Sequence, residues 1–105
     1  MAIAVRPVEV RPLEERDLPA GERIFREAFG TAHGVADPSR YWPDRNYVRS
    51  RWTADPGGAV MAGIEGASAG VVMAVRWGTV GVLGPLAVDP LFWRSGVAGR
   101  LLESI

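Results

Sequence analysis

The segment spanning residues 86–103 has the residue types that could bind a phosphate group. It consists of an apolar stretch, a loop, and a helical pattern opened by the small residues Gly96, Ala98 and Gly99. Small side chains let a ligand approach the backbone closely, and the first amides of a helix have no internal partner. The helix dipole favours an anion there, and Arg94 or Arg100 could add a charge-assisted hydrogen bond. The segment therefore predicts a phosphate or diphosphate site, although its spacing equally fits simple close packing of a helix on a strand.

Other phosphate-binding patterns and metal sites fit the sequence poorly. A nucleotide P-loop requires a lysine, and the twelve basic residues of this chain are all arginine. A dinucleotide fingerprint requires three spaced glycines early in a longer unit. The chain has no cysteine and one histidine, His33. Cysteine-ligated clusters, a thiol nucleophile and a multi-histidine site are thereby excluded, and we expect no metal.

Composition predicts one ordinary globular domain over residues 1–105. The chain is 48% hydrophobic and 23% charged, with a formal net charge of zero. A neutral chain has no overall field to attract nucleic acid or an anionic membrane, so we expect neither as a partner. Since no apolar run reaches the roughly 18–20 residues of a membrane span, we expect a soluble, cytoplasmic protein.

Elements that would position the loop can be assigned from periodicity. A short strand over residues 8–11 precedes a helix with Asp17 as its N-cap and Gly30 as its C-cap. Asp44 caps a second helix, which ends before Pro56. Strands follow over 59–65, 70–77 and 80–88, and a last helix begins at Val97. The order β-α-α-β-β-β-α predicts an α/β fold with a mixed, mostly antiparallel sheet.

The loop and its flanks resemble a known family motif. Residues 84–102 are similar to the acetyl-CoA motif of GNAT-type N-acetyltransferases, (Gln/Arg)-x-x-Gly-x-(Gly/Ala), with Trp93, Gly96 and Ala98 at its three defined positions. Residues 10–18 resemble the family's opening strand and helix, and residues 77–81 resemble a hairpin of a bacterial subgroup. The resemblance extends from about residue 8 to residue 105.

This resemblance implies a function and a set of contacts. It implies transfer of an acetyl group from acetyl-CoA to an amine acceptor by direct attack. The alternative is a non-catalytic acyl-CoA-binding or regulatory module that completes its sheet in trans. The cofactor's pantetheine would run beside Leu86, Ala87 and Val88, and Trp93 would be a further cofactor contact. Its diphosphate would lie on the backbone amides at the start of the helix, those of Arg94, Ser95, Gly96, Val97, Ala98 and Gly99.

The resemblance also implies that the domain is incomplete after the motif helix. Family members continue with a parallel strand, a helix and a final strand pair, and the usual tyrosine acid lies in that part. The isolated chain would therefore lack part of a catalytic site. The strand over 80–88 would be left as an exposed apolar edge, which favours pairing with a second copy.

Two residues are weak candidates for the base that accepts the amine's proton. His33 lies in the loop after the first helix, where family members shape the acceptor pocket, but a lone loop histidine is more often solvated. Glu65 ends the second strand and could relay a proton, although a strand-end glutamate before Gly66 is more often a surface residue.

Overall fold

The computed structural model describes residues 7–40, 47–77 and 80–104, so the predicted cap Asp44 and the hairpin residues Gly78 and Thr79 lie outside it. The predicted element order is confirmed. In chain order the elements are β1 (Val8–Pro12), α1 (Leu18–Ala32), α2 (Tyr47–Ala54), β2 (Ala59–Ile64), β3 (Ala67–Trp77), β4 (Val80–Val88) and α3 (Val97–Glu103).

The four strands form one antiparallel sheet in the order β1-β2-β3-β4. Neighbouring residues of one strand contribute to different cores: Met61 packs with α1 and α2, whereas Ala62 packs with α3. Because successive side chains of a strand point to opposite faces, α1 and α2 cover one face of the sheet and α3 covers the other. The strand β4 ends the sheet, so its other edge is open within the described residues.

Asp17 is the N-cap residue of α1, as predicted, but its side chain does not cap that helix. Asp17 has helical backbone angles (φ −85°, ψ −10°) and makes no side-chain capping bond to α1. Its carboxylate instead accepts the N–H of Glu14 at 2.8 Å and pairs with the Arg11 guanidinium at 2.6 and 2.8 Å. The hydrogen bond with Arg11 lowers the pKa of Asp17 and raises that of Arg11. Asp17 thus closes a capping box around the preceding 3-10 turn and ties β1 to the start of α1.

The predicted C-cap at Gly30 is wrong, because α1 continues to Ala32. The helix ends in a Schellman motif, in which Val35 N–H donates to Gly30 O and Gly34 N–H donates to Thr31 O, both at 3.1 Å. Gly34 has φ +72° and so is the residue that the motif needs in a left-handed conformation. Gly30 keeps a helical conformation within α1.

The turn between β2 and β3 is shorter than predicted. It consists of Glu65 and Gly66, with φ +51° and +84°, rather than residues 66–69. Two successive positive φ angles are the mark of a type I′ hairpin turn, whose twist matches that of the flanking strands. The predicted boundary of β2 at Glu65 is therefore wrong by one residue, and β3 begins earlier than expected, at Ala67.

Two local features of the sheet position the region around residues 86–99. The register of β3 and β4 shifts between the pairs Val72↔Leu86 and Ala74↔Leu83, which leaves one extra residue in β4 near Pro85. Proline has no N–H to donate, and it suits this bulge. On the next strand, a Cβ on Gly70 would lie 2.7 Å from Val97 Cγ1. The missing side chain at position 70 therefore lets α3 pack directly on β3.

Candidate functional site

A groove of about 420 Å³ opens between the C-terminal half of α1, the end of β4 and the loop that leads into α3. All the residues predicted to contact the cofactor line it except Ser95. The structure therefore brings the apolar strand end and the glycine-containing loop together around one cavity. Its lining residues are Ala28, Phe29, Ala32, Leu86, Ala87, Val88, Phe92, Trp93, Arg94, Gly96, Val97, Ala98 and Gly99.

The β4 wall offers backbone groups as well as side chains. The N–H of Asp89 donates to Ala69 O of β3 at 2.8 Å, so residue 89 directs its polar backbone toward β3. In an antiparallel ladder this direction alternates from residue to residue, so Val88 and Leu86 direct their N–H and C=O groups away from β3. Ala87 directs its N–H and C=O groups toward Val71, its partner on β3. An extended ligand beside β4 would therefore find pairing groups at residues 86 and 88.

The loop between β4 and α3 exposes a row of amides. Arg94 and Gly96 adopt left-handed conformations, with φ +71° and +85°. The first backbone bond of α3 runs from Arg100 N to Gly96 O at 3.1 Å. Among the described residues, no backbone oxygen accepts from the amides of residue 94 or residues 96–99. Such a concave run of free amides at a helix start is suited to an anion.

The Arg94 side chain is the charged group nearest in sequence to these amides. It lines the groove and is exposed, and within the described part of the chain no carboxylate pairs with it. Because no carboxylate pairs with it, the guanidinium is free to make a bidentate contact with an oxyanion. The left-handed backbone at Arg94 is a separate indication, since this conformation costs a non-glycine residue roughly 1–2 kcal/mol and such strain is concentrated at functional sites.

Asp89 anchors the start of the loop, in part as its position before proline predicts. Its Oδ1 accepts the N–H of Leu91 at 3.0 Å, which is the expected Asx turn. Its Oδ2 accepts from Arg23 of α1 at 2.9 Å, and the carboxylate is almost fully buried. The hydrogen bond with Asp89 raises the pKa of Arg23. Arg23 was not a candidate in the sequence, because it lies 66 residues before Asp89.

The α1 wall was also not predicted. Ala28, Phe29 and Ala32 line the groove, although none of them was a candidate site residue in the sequence. Phe29 is fixed by the Phe25 ring, whose centroid lies 4.7 Å away. The available signal was the pair of small residues four apart, Ala28 and Ala32, which lie on one side of a helix and leave space beside it.

The structure does not bring the two candidate bases into the groove. His33 follows α1, is exposed, and has its ring centroid 6.4 Å from that of Phe29. Glu65 is exposed in the β2–β3 turn. Ser95 is exposed as well, and its hydroxyl donates to Phe92 O within the loop. None of these three side chains lines the cavity.

No cluster of three or more histidine, aspartate or glutamate side chains suitable for a metal ion occurs in the described residues. The helices among these residues are also too short or too polar to cross a membrane.

Both the sequence and the fold are similar to those of known proteins. The model of the acetyltransferase (GNAT) family matches residues 18–105. No curated protein matches the sequence significantly. Similar solved structures include a protein of Pyrococcus horikoshii, with a TM-score of 0.72 and 18% identity over 93% of this chain and 68% of that one.

Two further structural neighbours have descriptive names. A GNAT family acetyltransferase from Brucella melitensis, solved in complex with acetyl-CoA, has a TM-score of 0.69 and 15% identity over 94% of this chain and 66% of that one. The ribosomal-protein-S18-alanine N-acetyltransferase from Escherichia coli has a TM-score of 0.66 and 21% identity over 93% of this chain and 56% of that one. At these identities the likeness is one of fold, and it agrees with the match of the family model over most of the sequence. The resemblance seen in residues 84–102 is therefore confirmed, and the chain belongs to the GNAT family of acetyltransferases.

Proposed function

We propose that this protein transfers an acetyl group from acetyl-CoA to an amine, with the cofactor bound in the groove. The observation that carries the proposal is the row of free amides at residues 94 and 96–99, which lies on the same cavity as the unpaired Arg94 guanidinium. Together they supply several donors and one positive charge for a diphosphate. The adjoining edge of β4 supplies pairing groups at residues 86 and 88 for an extended, amide-containing arm such as pantetheine.

The chemistry proposed is direct transfer without a covalent enzyme intermediate. Acetyl-CoA supplies an activated thioester; the amine nitrogen forms the new C–N bond, the C–S bond breaks, and the amine loses a proton. A base must accept that proton, and a general acid can protonate the departing thiolate. His33 is the better placed of the two predicted bases, because it directly follows the helix that forms one wall of the groove. Glu65 lies in a turn that contributes nothing to that wall.

Two structural neighbours support this class of reaction. One was solved with acetyl-CoA, and the other is named for acetylation of an alanine of a ribosomal protein. This chain spans 66% and 56% of those two neighbours. We propose only the shared part of their chemistry, an acyl-CoA donor and an amine acceptor.

A calorimetric titration with acetyl-CoA tests the binding site. We expect Gly96→Asp to weaken binding at least tenfold, because it adds a negative charge beside the diphosphate. Gly96→Asn has the same shape without the charge and should lose much less. Gly66→Asp is the matched control: Gly66 has nearly the same φ, +84°, and nothing lies within 4 Å of its added Cβ, but it does not line the groove. Equal affinities for the two Gly96 variants would contradict the diphosphate assignment.

Release of the CoA thiol in the presence of an amine panel tests the reaction itself. The panel contains small diamines, an alanine-terminated peptide and a lysine-containing peptide, and mass spectrometry identifies any acetylated product. We expect acetyl transfer to at least one amine class. Saturable binding of acetyl-CoA without transfer to any of them would favour the non-catalytic binding module instead.

A further inference from the structure

The indole ring of Trp93 lies against the open edge of the sheet. It lines the groove and Trp93 is 45% exposed. Its Nε1–H donates a hydrogen bond of 2.7 Å to the carbonyl oxygen of Val88. This bond crosses back over the loop from residue 93 to the last residue of β4, and it fixes the ring at the point where the strand ends.

The Val88 carbonyl is one of the outward-facing groups on the pairing edge of β4. Its orientation follows from the bond between Asp89 N and Ala69 O, since the groups of residue 89 face β3 and those of residue 88 face the opposite way. Leu86 shares the outward orientation. An extended ligand that ran from the loop over residues 93–99 along β4 would meet the Val88 carbonyl first. That carbonyl already accepts the hydrogen bond from the Trp93 indole N–H.

We propose, on the basis of the proposed function, that the hydrogen bond from Trp93 Nε1–H to Val88 O is a latch that sets the affinity of the groove for ligands with an amide-containing arm. The pantetheine of CoA contains two amide groups, so it must take over the Val88 carbonyl from the indole N–H in order to pair along β4. Adenosine 3′,5′-bisphosphate contains the nucleotide part of CoA without this arm. This nucleotide can bind while the Trp93–Val88 hydrogen bond stays intact, so the latch lowers the affinity for CoA but not the affinity for the nucleotide.

The substitution Trp93→Phe tests the latch, because it keeps an aromatic ring and removes the N–H. We expect CoA to bind on the order of threefold to tenfold more tightly, which corresponds to one net hydrogen bond. The affinity for adenosine 3′,5′-bisphosphate should stay the same. The control is Trp52→Phe, which removes a similar bond, from Trp52 Nε1 to Leu13 O at 3.1 Å, outside the groove. It should leave the ratio of the two affinities unchanged.

A second measurement follows the latch directly. The indole N–H resonance of Trp93, assigned by its loss in Trp93→Phe, should shift and exchange faster with solvent when CoA is added. Adenosine 3′,5′-bisphosphate should leave its exchange unchanged.

Different outcomes separate the latch from the proposed function. Weaker binding of both ligands by Trp93→Phe would overturn the latch and make Trp93 a structural support of the loop. An unchanged ratio of affinities would show that the arm does not use the Val88 carbonyl. If CoA binds to neither the unsubstituted chain nor the variant, the proposed function fails, and the latch fails with it.

Discussion

Gly70 determines how closely α3 can pack on the sheet, and Gly70→Ala should therefore damage both stability and the groove. The added Cβ would lie 2.7 Å from Val97 Cγ1, 3.0 Å from Leu101 Cδ1 and 3.2 Å from the Ala87 carbonyl oxygen. Val97 and Leu101 are only 1% and 0% exposed, so neither side chain can move into solvent. The helix must shift instead. Overpacking of this kind costs about 1–3 kcal/mol.

The expected cost can be measured by thermal and urea unfolding. A domain of this size loses about 4–8 °C in melting temperature per kcal/mol, so Gly70→Ala should lower it by at least about 4 °C. Because α3 carries one wall of the groove, the variant should also bind acetyl-CoA more weakly. The control for the stability measurement is Gly99→Ala, which adds the same methyl group to α3 where nothing lies within 4 Å. The control should not lower the melting temperature.

A double-mutant cycle with Val97→Ala shows whether the 2.7 Å contact is the cause. Val97→Ala alone removes two buried methyl groups and should cost about 2–3 kcal/mol. It also makes room for a Cβ at position 70. We therefore expect the double variant to be at least about 1 kcal/mol more stable than the sum of the two single effects predicts. Strictly additive costs would refute the reasoning, because they would mean that residues 70 and 97 do not compete for the same space.

Two further predictions concern the groove and the start of α1. Gly99→Ala should raise the free energy of unfolding by about 0.5–1 kcal/mol, since alanine favours a helix. It should also weaken acetyl-CoA binding, because residue 99 lines the groove. Unchanged affinity in calorimetry would place the ligand elsewhere. The pKa of Asp17 is lowered in the folded protein, mainly by its hydrogen bond with Arg11, so the stabilisation is present above the ordinary aspartate value of about 3.9 and is lost as the pH falls below it. Urea unfolding between pH 7 and pH 3 should accordingly show Asp17→Asn less stable than the unsubstituted chain at pH 7, with the difference shrinking below pH 4; a constant difference would contradict the ion pair.

Periodicity and local motifs were sufficient to predict the element order. The period-2 pattern of the strands and the start of the last helix at Val97 are local properties of the sequence, and the structure reproduces both. The errors fall at element ends, where neighbouring glycines compete for one role. Both Gly30 and Gly34 can end a helix. Gly34 terminates α1 because the amides of residues 34 and 35 reach the carbonyls of residues 31 and 30.

The loop within residues 86–103 could be recognised as a candidate phosphate site because its residues are consecutive, whereas the rest of the groove could not. Ala28, Phe29 and Ala32 lie more than fifty residues before the loop they face, and the spacing of the two alanines does not show which segment lies across the cavity from them. The contact between Arg23 and Asp89 has the same character, because it spans 66 residues. A charged residue on the polar side of an amphipathic helix is normally assigned to solvent, and only the packing of α1 against β4 brings it to a buried carboxylate.

The contact between Arg23 and Asp89 explains how two separately predicted parts form one site. Asp89 fixes the loop through Leu91 N–H and fixes β4 to β3 through its own N–H, while Arg23 connects the same side chain to α1. The wall from α1 and the wall from the loop are therefore held by one buried carboxylate. Arg23 is half-exposed and also pairs with Glu27 at 2.9 Å, so the charge on this carboxylate is compensated without closing the groove. Arg94, whose φ is +71°, makes no ion pair within the described residues, so its charge stays available on the lining of the groove.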